Sequence, residues 1–258
     1  NMQSASETDR QEKDLGERTT DHLYPLIDDP KIQMKIALKD EFSDTKSHVP
    51  ENYKDVQKLA DTYNHKAFEL SSHQLFIKNF ISFHTPYRSL LLYHGLGSGK
   101  TCSAISICEE MRTYLKQLGI AQRIIVVASP NVQENFKLQL FDERKLKLVD
   151  GLWNLRACTG NKYLKEINPM NMKGLSKEKV IKQIKSIINN SYLFLGYIEF
   201  ANYIVKKSES DEDDPKKRKS VMIRKLKKYF SNRLVIIDEV HNIRISDDKQ
   251  DKRVAQEL

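Results

Sequence analysis

Several features are scarce in these 258 residues, and each scarcity excludes something. Nine glycines and seven prolines are too few for a collagen-like or low-complexity chain. The three cysteines, Cys102, Cys108 and Cys158, are an odd number with no C-x-x-C pair. That pattern argues against a disulfide framework or a zinc site and implies a reducing compartment. No apolar run approaches the roughly 20 residues that cross a bilayer, and no signal peptide opens the chain, so no membrane association is expected. Acidic charge is also short, with 35 Asp and Glu against 43 Lys and Arg, a net charge of +8. A basic surface suits a polyanionic partner, although a lysine-rich composition alone gives the same balance. Asn1 stands before Met2, which implies that the native start lies elsewhere or is altered.

What is present organises itself along the chain. Residues 1–65 are polar, with small apolar clusters at "HLYPLI" and "IQMKIAL", and read as an extension, partly disordered or draped over a domain. From residue 66 the character changes. In "FELSSHQLFIKNFISF", Phe68, Leu70, Leu75, Phe76, Phe80 and Phe83 recur at mainly helical spacing, ahead of a strand "RSLLLYH". A helix "TCSAISICEEMRTYLKQLG" stops at Gly119, and a buried strand "RIIVVASP" precedes the amphipathic helix "NVQENFKLQLFDERKL". "LWNLRACTG", "YLFLGYIEF" and "RLVIIDEV" read as further strands, and Ser176 as the cap of "KEKVIKQIKSIIN". Apolar runs alternating with helices predict an α/β domain over 66–258, its mostly parallel sheet covered by helices on both faces. Residues 206–220, "KKSESDEDDPKKRKS", are an acidic block followed by a basic one. With no apolar face, they read as a solvated insertion without stable structure. A sharper reading makes Ser208 and Ser210 phosphorylation sites and 215–219 a nuclear import signal.

The chemistry concentrates in two places. "LLLYHGLGSGKT", residues 90–101, runs an apolar stretch into a glycine-rich turn. Backbone N–H groups can converge on phosphate oxygens only where side chains are absent, which is the use of Gly95, Gly97 and Gly99, with Ser98 between them. Lys100 is then placed to reach the terminal phosphates, Thr101 to hold Mg²⁺, and the following helix to supply its positive N-terminal end. The strict pattern wants glycine at 94, where this chain has His94. At the other place, "RLVIIDEVHN", four apolar residues put Asp238 and Glu239 at a strand's carboxyl end, where ligands of open α/β sheets collect. Asp238 is the candidate metal carboxylate and Glu239 the candidate for polarising the attacking water.

With His241 the second motif reads D-E-x-H, and here the chain resembles the superfamily 2 helicases and translocases of the DExH type. The resemblance covers about 68–250 and is closest to helicases of nucleocytoplasmic large DNA viruses, the poxvirus-type transcription-factor and NTPase helicases and their giant-virus relatives. It implies a RecA-like first lobe that uses ATP and Mg²⁺ to move along DNA or RNA, in viral transcription or genome handling, in host cytoplasm or virion. His241 would link the nucleotide site to the nucleic-acid cleft. Gln74, in "SSHQLFIKNF", would read the adenine, which an amide can pair in a bidentate way. "VVASPNVQENF" resembles the family's motif Ia, so Ser129, Pro130 and Asn131 would touch nucleic-acid backbone, as would Thr159 and Gly160 in "CTG". The family also carries a second RecA-like lobe with an arginine finger, and an S-A-T-type coupling motif after the DExH box. Neither is found up to Leu258, so the chain reads as a first lobe incomplete at its C-terminus, nearly inactive alone. Two rival readings stay open at this point: a P-loop ATPase that does not act on nucleic acid, and a non-catalytic interaction module.

Overall fold

The computed structural model describes residues 24–45, 70–93, 95 and 99–243. The chain divides into two compact units, 1–96 and 97–258.

In the first unit, α1 (Ile32–Ala37) and a short helical turn at Asp40–Thr45 precede α2 (Ser72–Phe80). The N-terminal segment is packed rather than loose over these residues: Ile36 and Phe42 are buried, the Phe42 and Phe76 rings lie 5.0 Å apart, and Tyr87 OH donates to Pro25 O. Within the helix "SHQLFIKNF" only Gln74 and Ile77 are buried; Phe68 lies outside the described residues. The expected strand at "RSLLLYH" does not form. Residues 87–93 have no regular structure, and Leu91 and Tyr93 are 71% and 94% exposed. An apolar run becomes a strand only when a neighbour takes up its backbone hydrogen bonds, and none does so here among the described residues.

The second unit is built on a parallel sheet in the order β4 (Tyr192–Leu195), β1 (Ile124–Val127), β5 (Val235–Ile237). Ile125 pairs with Leu193 on one side and Val235 on the other. Alternation along β1 sends Ile124 and Val126 to one face and Ile125 and Val127 to the other, and all four are buried. The first face is covered by α3 (Lys100–Gln117), α4 (Pro130–Leu140), α5 (Lys162–Ile167) and α6 (Lys177–Ser191), through Ile105, Phe136, Tyr163 and Ile184 among others. The second is covered by α7 (Tyr197–Ser208) and the end of α8 (Pro215–Phe230), through Phe200, Ile204, Leu226 and Phe230. This is a RecA-like α/β architecture. A separate antiparallel hairpin, β2 (Leu146–Val149) with β3 (Leu152–Leu155), takes up the start of "LWNLRACTG".

The structure tests four further expectations of the second unit. "YLFLGYIEF" is half strand: β4 ends at Leu195 and Gly196 opens α7, its N–H bonded to Glu199 Oε2 at 2.7 Å. Ser176 does cap α6, accepting from Lys179 N. The expectation that 206–220 lacks structure fails at both ends and holds only for 209–214, which have no helix or strand. α7 runs to Ser208 and α8 starts at Pro215, with Asp214 accepting from the N–H groups of Lys216 and Lys217. Lysine and arginine are good helix formers, so an aspartate cap and a proline at the first position suffice without an apolar face. One part of the cysteine reading, the absence of a disulfide, is corrected. Cys102, in the first turn of α3, and Cys158, just after β3, are disulfide-bonded with Cα atoms 5.3 Å apart. Their separation of 56 residues conceals a proximity created by packing, while Cys108 is a buried thiol.

A buried polar cluster sits inside the first face. Glu109, on α3 and 4% exposed, accepts from Tyr192 OH (2.6 Å) and Tyr163 OH (2.7 Å). Arg112 donates to the same carboxylate through Nη2 at 2.8 Å and to Glu166 Oε2 at 2.8 Å. Burial pushes the Tyr163 hydroxyl well above its ordinary pKa, and the Glu109 charge adds to it. Tyr192 is raised in the same way, by burial first and then by its neighbours Tyr163 and Glu109. Both tyrosines therefore remain donors. Burial works against charge on Arg112, but its bonds to Glu166 and Glu109 outweigh it and raise the guanidinium above its ordinary value.

Removing Glu109 leaves the buried Tyr163 and Tyr192 hydroxyls without their acceptor and takes one of Arg112's two carboxylates, at a cost of about 3–5 kcal/mol. Glu109→Ala should therefore lower the melting temperature by about 10 °C, at roughly 2–4 °C per kcal/mol for a unit of this size. Tyr192→Phe, which loses one bond to a charged acceptor, should cost about 2 kcal/mol. Thermal melting followed by circular dichroism checks both. A Glu109→Ala protein melting within about 2 °C of wild type would show that the cluster contributes little stability.

Candidate functional site

The carboxyl ends of the three parallel strands open on one edge of the sheet, and most of the motif residues of the second unit gather there. β5 delivers Asp238, whose N–H donates to Val127 O at 2.9 Å, so the carboxylate pair stands at the end of the central strand. β1 delivers Ser129, which begins α4 with Pro130 in its first turn. β4 delivers Tyr197, whose hydroxyl donates to Asp238 O at 2.9 Å.

Lys100 is the first residue of α3, an 18-residue helix whose N-terminal neighbour Gly99 has φ +81°. A side chain at that φ would be strained, so glycine is required where the chain turns into the helix. The helix start concentrates positive partial charge, and Lys100 and Thr101 stand half-buried there. Lys100 and Asp238 are close enough to affect each other. Burial pushes the Asp238 carboxyl above its ordinary value and the Glu239 charge adds to that, while the Lys100 charge draws it down.

Glu239 is held in an unusual conformation. Its φ is +47°, a left-handed geometry that costs a non-glycine residue on the order of 1–3 kcal/mol. The turn is closed by Asn242 N donating to Glu239 O at 2.9 Å. His241 Nδ1 lies 3.3 Å from Glu239 Oε2, both side chains being more than half exposed. The strain aims an acidic side chain outward from the strand end while Asp238 stays partly buried beside it.

Other expected site residues fall as follows. Ser129 and Asn131 stand at the same edge; the Ser129 side chain makes no cap hydrogen bond, and Asn131 is exposed. Thr159 and Gly160 form a turn before α5, and the Thr159 hydroxyl donates to Leu140 O at 2.9 Å. Gln74 and Gly95 belong to the first unit. Gln74 Oε1 accepts from Ser71 N at 3.1 Å, capping α2, and Gly95 is exposed with open space where a side chain would be. Gly97 and Ser98 lie outside the described residues. Sequence reasoning missed Tyr197 and Asn242, which hold the Asp238–Glu239 turn: Asn242 Nδ2 reaches Tyr197 OH at 3.3 Å. The available signal was Gly196, a glycine after an apolar run, which marks the end of a strand rather than its middle.

No group of three or more His, Cys, Asp or Glu side chains able to hold a metal occurs among the described residues. A Mg²⁺ bound with a nucleotide does not need one, because phosphate oxygens and waters supply most of its ligands. A carboxylate within the influence of a helix-start lysine, as Asp238 is of Lys100, is compatible with that arrangement. A RecA-like sheet with a lysine-bearing helix start and two carboxylates at its carboxyl edge defines the class.

Comparison with known proteins carries this further. A protein of Acanthamoeba polyphaga mimivirus named "putative ATP-dependent RNA helicase" is 25% identical over 240 residues, covering 86% of this chain and 20% of its own length. A "putative helicase" of Invertebrate iridescent virus 3 is 26% identical over 200 residues, 74% of this chain and 17% of its own. A second mimivirus protein with an ATP-dependent RNA helicase name is 27% identical over 181 residues, 68% and 25%. No protein-family model and no solved structure matches. The chain is thus a distant relative of helicase-like proteins of large DNA viruses, and it spans a quarter or less of the length of these three.

The strain at Glu239 yields a prediction. Glu239→Gly should melt no lower than wild type, and up to about 3 °C higher if roughly 1 kcal/mol of strain is released. Glu239→Gln should melt unchanged. A clear drop for the glycine variant in a thermal melt would mean that the side chain, through His241, holds the turn.

Proposed function

We propose that this chain is the ATP-binding lobe of a DExH-type superfamily 2 helicase or translocase, coupling ATP hydrolysis to movement on DNA or RNA. The observation that carries the reading is the placing of Lys100, at the start of a long helix, within reach of the Asp238 charge at the sheet's carboxyl edge. A lysine alone at a helix start is common. A lysine whose charge acts on a partly buried carboxylate, with a second carboxylate strained outward next to it, supplies groups that phosphoryl transfer to water uses.

The roles follow from chemistry. Lys100 and the α3 N-terminus neutralise the terminal phosphates. Thr101 and Asp238 would hold Mg²⁺, which when bound spreads the developing negative charge of the transferring group. Glu239, exposed and next to Asp238, orients the attacking water and accepts its proton. His241, 3.3 Å from Glu239, is positioned to sense what occupies the adjoining surface. Ser129 and Asn131 stand on the same edge and offer hydrogen bonds to a phosphodiester backbone. A second RecA-like lobe completes such a site with an arginine. The names of the viral relatives support helicase-type work in transcription or genome handling.

Lys100→Ala should weaken binding of a fluorescent ATP analogue, at fixed Mg²⁺, by at least about tenfold, roughly 1.4 kcal/mol. Unchanged affinity would remove the phosphate-site assignment. Glu239→Gln should keep that affinity and lose whatever phosphate release the wild-type protein shows with single-stranded nucleic acid.

A further inference from the structure

The basic charge of this protein is unevenly spread. α8 carries Lys216, Lys217, Arg218, Lys219, Arg224, Lys225, Lys227 and Lys228, with no acidic residue and no buried one. Two of these cations are engaged at backbone: Arg218 donates to Glu212 O and Lys225 to Glu209 O. Among the described residues, Lys216, Lys217, Lys219, Arg224, Lys227 and Lys228 make no side-chain hydrogen bond or ion pair. At 100° per residue, Lys217, Arg224 and Lys228 fall on one line along the helix, with Lys227 beside it; the opposite face sends Leu226 and Phe230 into the core. Along that line the cations are about 6–10 Å apart.

The position of this face is set by the strands. α7 leaves the carboxyl edge at Gly196, and by Tyr203 it has reached the opposite edge, where Arg233 bridges Tyr203 OH and Arg123 O just before β1. α8 runs antiparallel to α7, with Phe230 against Phe200 and Lys225 against Glu209. The tip of this helical hairpin therefore points away from the nucleotide edge.

We propose that the outward face of α8 is a second nucleic-acid-binding surface, gripping phosphodiester backbone at the end of the sheet opposite the nucleotide edge. Like charges at this density repel one another along the helix, and among the described residues no acidic side chain pairs with Arg224, Lys227 or Lys228. A duplex presents a negative charge about every 1.7 Å of its axis, so each cation on the line finds a phosphate without any requirement for sequence. A protein partner fits less well, because Ile223 is the one large apolar side chain of α8 that is well exposed among the described residues, and protein interfaces depend on clustered aromatic or aliphatic anchors. A lipid surface also fits less well, since the apolar side that a membrane-lying helix would insert is packed against the sheet. The acidic residues Glu209, Asp211, Glu212, Asp213 and Asp214 sit at the hairpin turn and would repel backbone there. That centres the binding on Arg224, Lys227 and Lys228.

This surface does not depend on the nucleotide reading, and the experiment keeps the two apart. The 258-residue chain and its Arg224→Ala/Lys227→Ala/Lys228→Ala variant are titrated with a short fluorescein-labelled duplex, without nucleotide, between about 50 and 200 mM salt. Fluorescent-ATP affinity and melting temperature are measured alongside. The variant should bind the duplex about tenfold or more weakly at low salt. Its slope of log affinity against log salt should fall by about 3, near 0.9 for each phosphate no longer neutralised. ATP affinity and melting temperature should be unchanged, and Arg224→Lys alone should behave as wild type, since a phosphate needs only the charge. Unchanged duplex affinity and slope would overturn the proposal, as would a slope unchanged while binding to phosphatidylserine vesicles is lost, which would assign the face to a membrane. Loss of ATP affinity in Lys100→Ala, or its absence, bears on the nucleotide site alone.

Discussion

The buried carboxylate of Glu109 is the constraint on which the second unit depends. It lies on α3 about 13 Å along the helix from Lys100, and it joins three elements by hydrogen bonds: its own helix through Arg112, α5 through Tyr163, and β4 through Tyr192. Arg112 extends the link to Glu166 on α5, where Lys116 also donates. Apolar packing alone would let α3 slide along its axis at modest cost. Directional bonds to a buried charge do not, because any slide breaks bonds that no water replaces. The axial position of α3, and with it that of Lys100 at its start, is consequently fixed against α5 and β4.

Much of this was legible in the residues, and the failures have physical causes. The helices over 100–117 and 177–191 and the strands at 124–127 and 235–237 follow from periodicity and bounding residues. Asp238 and Glu239 were placed correctly at a strand's carboxyl end, whereas Lys100 opens its helix without the strand expected before it. Glu109 was not legible: "ICEEMR" looks like any charged helix surface, and only packing shows that one of its two glutamates faces inward. The Cys102–Cys158 pair escaped for the same reason, since sequence separation says nothing of spatial distance. The lysine-rich start of α8 has no apolar face, so periodicity gives no sign of a helix there. Cap chemistry and intrinsic propensity are enough to form it. Leu90–Tyr93 shows the converse, an apolar run whose strand character depends on a partner rather than on itself.

The carboxyl edge combines fixed and strained parts. Asp238 is tied by its own backbone to β1 and to Tyr197, whereas Glu239 stands in a left-handed turn that a glycine would occupy more easily. Local stability has been given up at the residue that meets water, and kept at the residue beside it. This division is what is expected when one carboxylate must stay still and its neighbour must face outward.

The pairing of β1 with β5 has a consequence for how the protein comes into being. Ile125 meets Val235, so the central strand waits for a partner made 110 residues later, after all of α3 to α8 has been synthesised. Loop closure over such a span is entropically slow to win, and until it happens one side of β1 is an unpaired strand edge. Lys100 and its helix start are thus made early, and Asp238 and Glu239 late. A nascent chain interrupted anywhere in between holds the lysine-bearing half of the proposed site without its carboxylates.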